Sequence, residues 1–236
     1  MPGLRRASLA VAGAAALVLT HSAPASAVPV TVLDLQLNEA AGARTAVDSS
    51  GLGHHGVIGS HLVMNGEYAT FDLHPETQHV AYRDAHLIVV PDAPDGSLDP
   101  GPGNFSVEVR FRTSLVGAET PNLLQKGQSG ATGGQVKLQL VQGRLSCTFK
   151  TPQGTATATS STSVADGGWH VVRCDRTATS VTVFVDGARS GVRNATTGTL
   201  NNTKPWVAGG KQQCDARSVD CDYFAGDVDY VRLTKG

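Results

Sequence analysis

"NFSVEVRFRT", Asn104 to Thr113, decides the fold. Phe105, Val107, Val109 and Phe111 point one way, and Ser106, Glu108, Arg110 and Arg112 point the other. Strict alternation is the period of a half-buried β-strand, because successive side chains leave opposite faces. Working outward, Leu33, Leu35 and Leu37 alternate with Asp34 and Gln36. Val136, Leu138 and Leu140 repeat the pattern, as do Leu145, Cys147 and Phe149. "SVTVFVDG" (Ser180 to Gly187) is rich in β-branched residues and ends in Asp-Gly, a hairpin turn signal. "DYVRL" (Asp229 to Leu233) reads as a closing strand. No stretch has a helical period, and Gly, Pro, Asn and Asp punctuate the chain at short intervals. The expectation is an antiparallel all-β protein.

The first 27 residues read as an export leader: Arg5 and Arg6, an apolar run from Ala7 to Thr20, then Ala25-Ser26-Ala27 as a cleavage site. The apolar run is too short for a lasting membrane anchor. The paired arginines leave the general and twin-arginine routes both open. Residues 28–236 then form one domain, with "PDAPDGSLDPGPGN" (Pro91 to Asn104) a surface loop and "TATATSSTS" (Thr155 to Ser163) an exposed strand and loop within it. No second apolar stretch is long enough for a membrane helix, so no anchor is expected after cleavage. The 19 Lys and Arg against 20 Asp and Glu give a formal charge of −1, and loss of the leader makes it more negative. Nothing in that balance attracts nucleic acid.

Four cysteines in an exported chain imply disulfides. Cys214 and Cys221 close a short loop and are paired first, which leaves Cys147 with Cys174. If a strand lay between those two, the gap would be roughly 9–10 Å, too far for a disulfide. Zinc is the rival, without a C-x-x-C pair to support it.

Six segments, in order, resemble laminin-G-like domains. They are "DSSGLGHHGVIG" (Asp48 to Gly59), "NFSVEVRFRT", "NLLQKG" (Asn122 to Gly127), "VKLQLVQGRLSC" (Val136 to Cys147), "ADGGWHVVRCDRTATSVTVFVDG" (Ala165 to Gly187) and "FAGDVDYVRL" (Phe224 to Leu233). The resemblance implies a concanavalin A-like jelly roll, two curved antiparallel sheets packed face to face. It places Trp169 at a strand start, packed into the core, and makes the concave sheet face a binding groove.

In the first of these segments, Gly51, Gly53, Gly56 and Gly59 read as turn residues free to take positive φ. His54 and His55 are neighbours and read as exposed loop residues rather than one chelating pair. Asp229 shares a face with Val231 and Leu233 by spacing, so its carboxylate needs a partner if that face is buried. In related jelly rolls such an aspartate helps hold structural calcium near the first loop, so the resemblance makes Asp229 a candidate ligand, with Asp48 or carbonyls of the 48–59 loop supplying others. The alternative is that Asp229 caps backbone amides or pairs with an arginine, and Asp48 makes an Asx turn. His170 is expected to satisfy backbone groups. Trp206 reads as core, with a sugar-stacking platform as its functional rival. Glu108, Arg110 and Arg112 form an outward charged row, either a plain solvated face or a place where an anionic glycan or acidic protein meets the arginines.

Hydrolysis finds little support. Glucanase relatives carry Glu-x-Asp-x-Glu on one strand, and none of Glu39, Glu67, Glu76, Glu108 and Glu119 has Asp two residues on or Glu four residues on. Tyr82, His79 and Arg83 are scattered pieces of a lyase constellation, and no G-x-S-x-G elbow is present. The expected function is a secreted, non-catalytic binding domain for extracellular carbohydrate or protein, with calcium as a structural cofactor. A polysaccharide-degrading enzyme of the same architecture and a scaffolding protein of the envelope are the rivals.

Overall fold

The computed structural model describes Gly3 and residues 28–72, 83–116, 120–212 and 221–236. The leader, apart from Gly3, lies outside the described residues, as do His79, Tyr82 and Cys214. The strands, in chain order, are β1 (Val30–Leu35), β2 (Thr45–Ala46), β3 (Gly56–Ile58), β4 (Val63–Met64), β5 (Ala69–Phe71), β6 (Ile88–Val90), β7 (Phe105–Arg112) and β8 (Asn122–Lys126). They continue as β9 (Gln135–Val141), β10 (Arg144–Thr151), β11 (Gly154–Thr159), β12 (His170–Arg176), β13 (Ser180–Val185), β14 (Ala188–Asn194), β15 (Trp206–Ala208) and β16 (Gly226–Lys235). Among the described residues there is no α-helix, only a 3-10 turn at Arg83–His86.

Two antiparallel sheets result, as the alternation requires. The first runs β14-β13-β12-β7-β16-β5-β4, and β1 joins it along the C-terminal half of β16. The second runs β11-β10-β9-β8-β15-β6-β3-β2. The apolar sides of the two sheets face each other and form one core. Phe105, Val107, Val109 and Phe111 lie in it at 2% exposure or less, with Leu33, Leu35, Leu138, Leu140, Leu145 and Phe149. Asp186 and Gly187 turn β13 into β14 with φ of 49° and 79°, the positive pair that such a hairpin needs. "TATATSSTS" begins as β11, an edge strand with Ala156 and Ala158 inward and its threonines outward.

Cys147 and Cys174 are bonded across the sandwich, from β10 in the second sheet to β12 in the first, with Cα atoms 6.3 Å apart. The one-strand-between geometry does not arise, because the two cysteines belong to different sheets. Those sheets close together on this side: Ser161 N–H donates to the Ser190 carbonyl at 2.9 Å. A Cβ on Gly191 would sit 2.1 Å from the Thr159 carbonyl oxygen. Cys221 is also disulfide-bonded; its expected partner, Cys214, lies outside the described residues.

The opening glycines divide into two kinds. Gly51 and Gly53 take φ of 88° and 77°, as expected of turns. Gly56 and Gly59 do not; they are there for close approach. A Cβ on Gly59 would lie 2.3 Å from the carbonyl oxygens of Asp84 and Ala85, and one on Gly56 would press on Ile88 and Val90.

Candidate functional site

The outer face of the first sheet carries the charged row. Register sets Thr234, Arg232 and Tyr230 of β16 beside Ser106, Glu108 and Arg110 of β7. On the other flank β12 brings Asp175, Arg173 and Val171. A bulge between Val228 and Tyr230 inserts Asp229 as an extra residue. Val228, Val231 and Leu233 stay in the core, while Asp229 turns outward to pair with Arg110. The bulge therefore breaks the two-residue spacing that put Asp229 on the Val231 face, and Asp229 is not a buried carboxylate.

Arg112 Nε meets Asp227 Oδ2 at 2.6 Å, and Thr70 donates to the other oxygen of Asp227 at 2.7 Å. Tyr230 donates to Glu108 at 2.9 Å, Arg232 lies 3.7 Å from the same carboxylate, and Arg232 also reaches Asp34 at 3.2 Å. Burial, then the Glu108 bond, pushes the Tyr230 phenol up to about 12, so it stays a donor at neutral pH. Ser106 and Arg173 both hold Asp175, at 2.7 and 3.1 Å. Arg110 and Arg112 lie over the Trp169 ring, 4.6 and 4.9 Å from its centroid, and Tyr68 packs edge-on to it at 5.4 Å. The guanidiniums are about one-third exposed, so each pair adds only about 0–1 kcal/mol of stability. What the network supplies is rigidity. At the Ser106 end the face sinks into a groove of about 400 Å³ lined by Asn104, Ser106, Glu108, Arg173, Asp175, Arg232 and Thr234.

The two tryptophans fall on opposite sides of expectation. Trp169 is half-buried on the outer face rather than packed in the core. Trp206 is 1% exposed, stacked on Phe105 at 6.0 Å, with its indole N–H donated to the Leu98 carbonyl at 2.9 Å. No sugar can reach Trp206, so its core reading holds and the stacking platform does not. His170 bonds carboxylates rather than backbone, Asp186 at 2.8 Å and Asp166 at 3.1 Å. Burial alone would lower its pKa, but the two acidic partners outweigh that and raise it.

Asp48 organises the 48–59 loop. Its carboxylate accepts from Asp34 N–H, Ser50 N–H, Ser50 O–H and His54 N–H at 2.7–2.9 Å. Its own N–H donates to His55 Nδ1 at 2.9 Å. Burial opposes ionisation, yet these donors hold the carboxyl below its ordinary value. Calcium shared by Asp48 and Asp229 does not fit these residues, since four donors already occupy one carboxylate and a guanidinium the other. Among the described residues no group of three or more His, Cys, Asp and Glu side chains could hold a metal ion.

A second concavity has no counterpart in the sequence reading. On the outer face of the second sheet, a pocket of about 440 Å³ is walled by the 127–131 and 203–205 turns and floored by Gln125 and Val207. Beneath it Lys126, fully buried, bonds Asp92 at 2.6 Å, Asp99 at 3.3 Å and the Lys204 carbonyl at 2.7 Å. The sequence of its strand, Asn-Leu-Leu-Gln-Lys, has no alternation that would single this lysine out. Arg176, also buried, is held by backbone carbonyls of Pro100, Gly101, Gly103 and Gly198 with no carboxylate among those partners.

A family model described as "Concanavalin A-like lectin/glucanases superfamily" matches residues 88–236. No curated protein sequence matches the chain. Among solved structures, domain 4 of a GH43 extracellular arabinanase from Geobacillus stearothermophilus, in complex with arabinotriose, is similar. It has a TM-score of 0.62 and 13% identity, over 88% of this chain and 93% of that one. Botulinum neurotoxin type C, whose cell entry depends on interaction with two ganglioside molecules, gives 0.62 and 12% over 87% and 47%. The binding domain of Paraclostridial Mosquitocidal Protein 1 gives 0.59 and 12% over 87% and 47%. The chain thus spans under half the length of both toxin structures, and at these identities the likeness is one of fold.

Proposed function

Because this chain belongs to the laminin-G group of the concanavalin A-like lectin/glucanases superfamily, we propose that it is an extracellular, non-catalytic carbohydrate-binding domain. Its ligand lies along the outer face of the first sheet. The observation that carries this reading is the groove at the end of the row. There Glu108, Arg173, Asp175 and Arg232 converge as a rigid set of planar donors and acceptors.

The charge balance refines the ligand class. Along this face Arg110, Arg112, Arg173 and Arg232 meet Asp34, Glu108, Asp175, Asp227 and Asp229. The arginines are neutralised before any ligand arrives, so a polyanion gains little from them. Saccharide hydroxyls donate to the carboxylates and accept from the guanidiniums at once, with orientations already fixed by the ion pairs. The arabinotriose complex of the similarly shaped arabinanase domain supports a saccharide as the class. Location outside the cell is supported by the buried Cys147–Cys174 bond, which an oxidising compartment maintains.

A glycan array, run with and without calcium, tests the reading. Expected is binding to neutral or mixed oligosaccharides, unaltered by calcium, with at least one of the bound oligosaccharides lost in Arg173→Ala and Arg232→Ala. If every bound oligosaccharide survives both substitutions, or none binds at all, the reading is refuted.

A further inference from the structure

The pocket on the opposite side of the sandwich is built as carefully as the groove, from different chemistry. Its two walls are fixed to each other. The buried Asn202 donates to the Gly134 carbonyl at 2.9 Å and accepts from Lys204 N–H at 2.9 Å. The Lys126 ammonium holds the Lys204 carbonyl from below. Gly127 takes φ of 71°, where a Cβ would lie 2.6 Å from the Gly134 carbonyl oxygen, so the turn admits no side chain there. Ala131 N–H closes the same turn on the Gln128 carbonyl at 2.8 Å. Burying an ammonium and an amide to set two loop turns is costly unless their polar atoms find partners, and here the Lys126 ammonium and both polar atoms of Asn202 do.

At the floor, Gln125 is 3% exposed. Its Oε1 accepts from Asn122 Nδ2 at 2.9 Å, and among the described residues its Nε2 makes no hydrogen bond and opens into the pocket rather than being sealed off. Exchanging oxygen and nitrogen in both amides leaves the same result, one unspent polar atom on Gln125. Gln125 lines the pocket together with Gln128, Val207 and Pro205, with Lys204 at the rim. An amide nitrogen that opens into a pocket favours a polar ligand, since an apolar one would strip its water and leave it unpaired. Among the described residues no carboxylate or imidazole lines the pocket, and the side chains that do are not a divalent-cation set. A peptide cannot add as a strand either, because β8 and β15 are each paired on both sides. Amide donors and acceptors above small apolar surfaces suit vicinal hydroxyls and the C–H face of a sugar ring. A volume of about 440 Å³ lies within the roughly 300–1,000 Å³ usual for ligand sites.

We infer that this pocket is a second saccharide site, for one or two neutral sugar residues. It is independent of the charged groove and makes the domain bivalent, able to bridge two chains. The inference goes beyond the proposed function and stands or falls separately from it.

Saturation-transfer NMR on the full chain tests it, with methyl glycosides of glucose, galactose, mannose, xylose, arabinose and rhamnose as probes. Expected is transfer to at least one of them, reduced at least tenfold in affinity in Gln128→Ala, which is at the surface, and in Gln125→Leu. The same signal should persist in the Arg173→Ala, Arg232→Ala double variant, and Lys204→Ala should change affinity less than threefold. Gln125→Leu carries weight only if its melting curve matches wild type; Gln128→Ala decides otherwise. Silence from all six probes would overturn the inference, and so would affinity unchanged in Gln128→Ala. A signal lost in the arginine double variant would assign the sugar to the charged groove instead. Loss in Lys204→Ala would overturn the neutral class.

Discussion

Trp206 lies between the sheets, stacked on Phe105 with its N–H bonded to Leu98, while Trp169 lies outside them beneath Arg110 and Arg112. The interior around Trp206 is held by apolar area and close packing, and any loss there is felt by the whole sandwich. The exterior around Trp169 is held by ion pairs that hardly stabilise the fold but fix the direction of every polar group on the face. Stability and recognition are thus carried by opposite surfaces of the same strands. β7 is the plainest case, since Phe105, Val107, Val109 and Phe111 serve one surface and Glu108, Arg110 and Arg112 the other.

Substitution separates the two regions most sharply at the tryptophans. Trp206→Ala should cost about 3–5 kcal/mol in chemical denaturation, with a cost near zero placing Trp206 outside the core. Cys147→Ala with Cys174→Ala removes the bond that ties the sheets and should cost about 2–5 kcal/mol, read the same way. Trp169→Ala should cost only about 0.5–1 kcal/mol, the worth of exposed cation–π contacts, yet weaken saccharide binding by loosening Arg110 and Arg112.

A smaller effect comes from His170. Its raised pKa means that the Asp186 and Asp166 contacts stabilise the fold fully below the ordinary value of 6.5. That contribution disappears as pH rises through the raised native value. Wild type should therefore lose melting temperature relative to His170→Asn as pH rises from the ordinary histidine value through the raised native one, a range in which the two carboxylates stay ionised. Parallel curves would contradict the contacts. The smallest effect is expected from calcium. Millimolar calcium should leave the melting temperature unchanged, and a clear rise would put an ion at Asp48 or Asp229 after all.

The strands were legible because alternation is local: Phe105 to Phe111 states its own two faces. The hairpin at Asp186-Gly187 was legible for the same reason. Asp229 was not, since its direction depends on a bulge defined only by pairing with β7. Trp169 was misplaced because a residue just before a strand has no alternation of its own, and its side is set by the arginines of a neighbouring strand. The charged row was read correctly as outward, but its neutralisation by Asp227 and Asp229 arises more than a hundred residues away in sequence. The amide pocket left no trace in any single segment. It assembles Gln125, Gln128, Lys204 and Val207 only because β8 and β15 are neighbours in the second sheet.

The central claim is that the outer face of the first sheet receives a saccharide. Backbone amide shift mapping during titration with a saccharide that binds on the array tests it most directly. Perturbations should cluster on Ser106 to Arg112, Val171 to Asp175 and Tyr230 to Thr234, with no need for calcium. Shifts confined to the 48–59 loop and dependent on calcium would contradict it, as would cleavage of the saccharide during the titration.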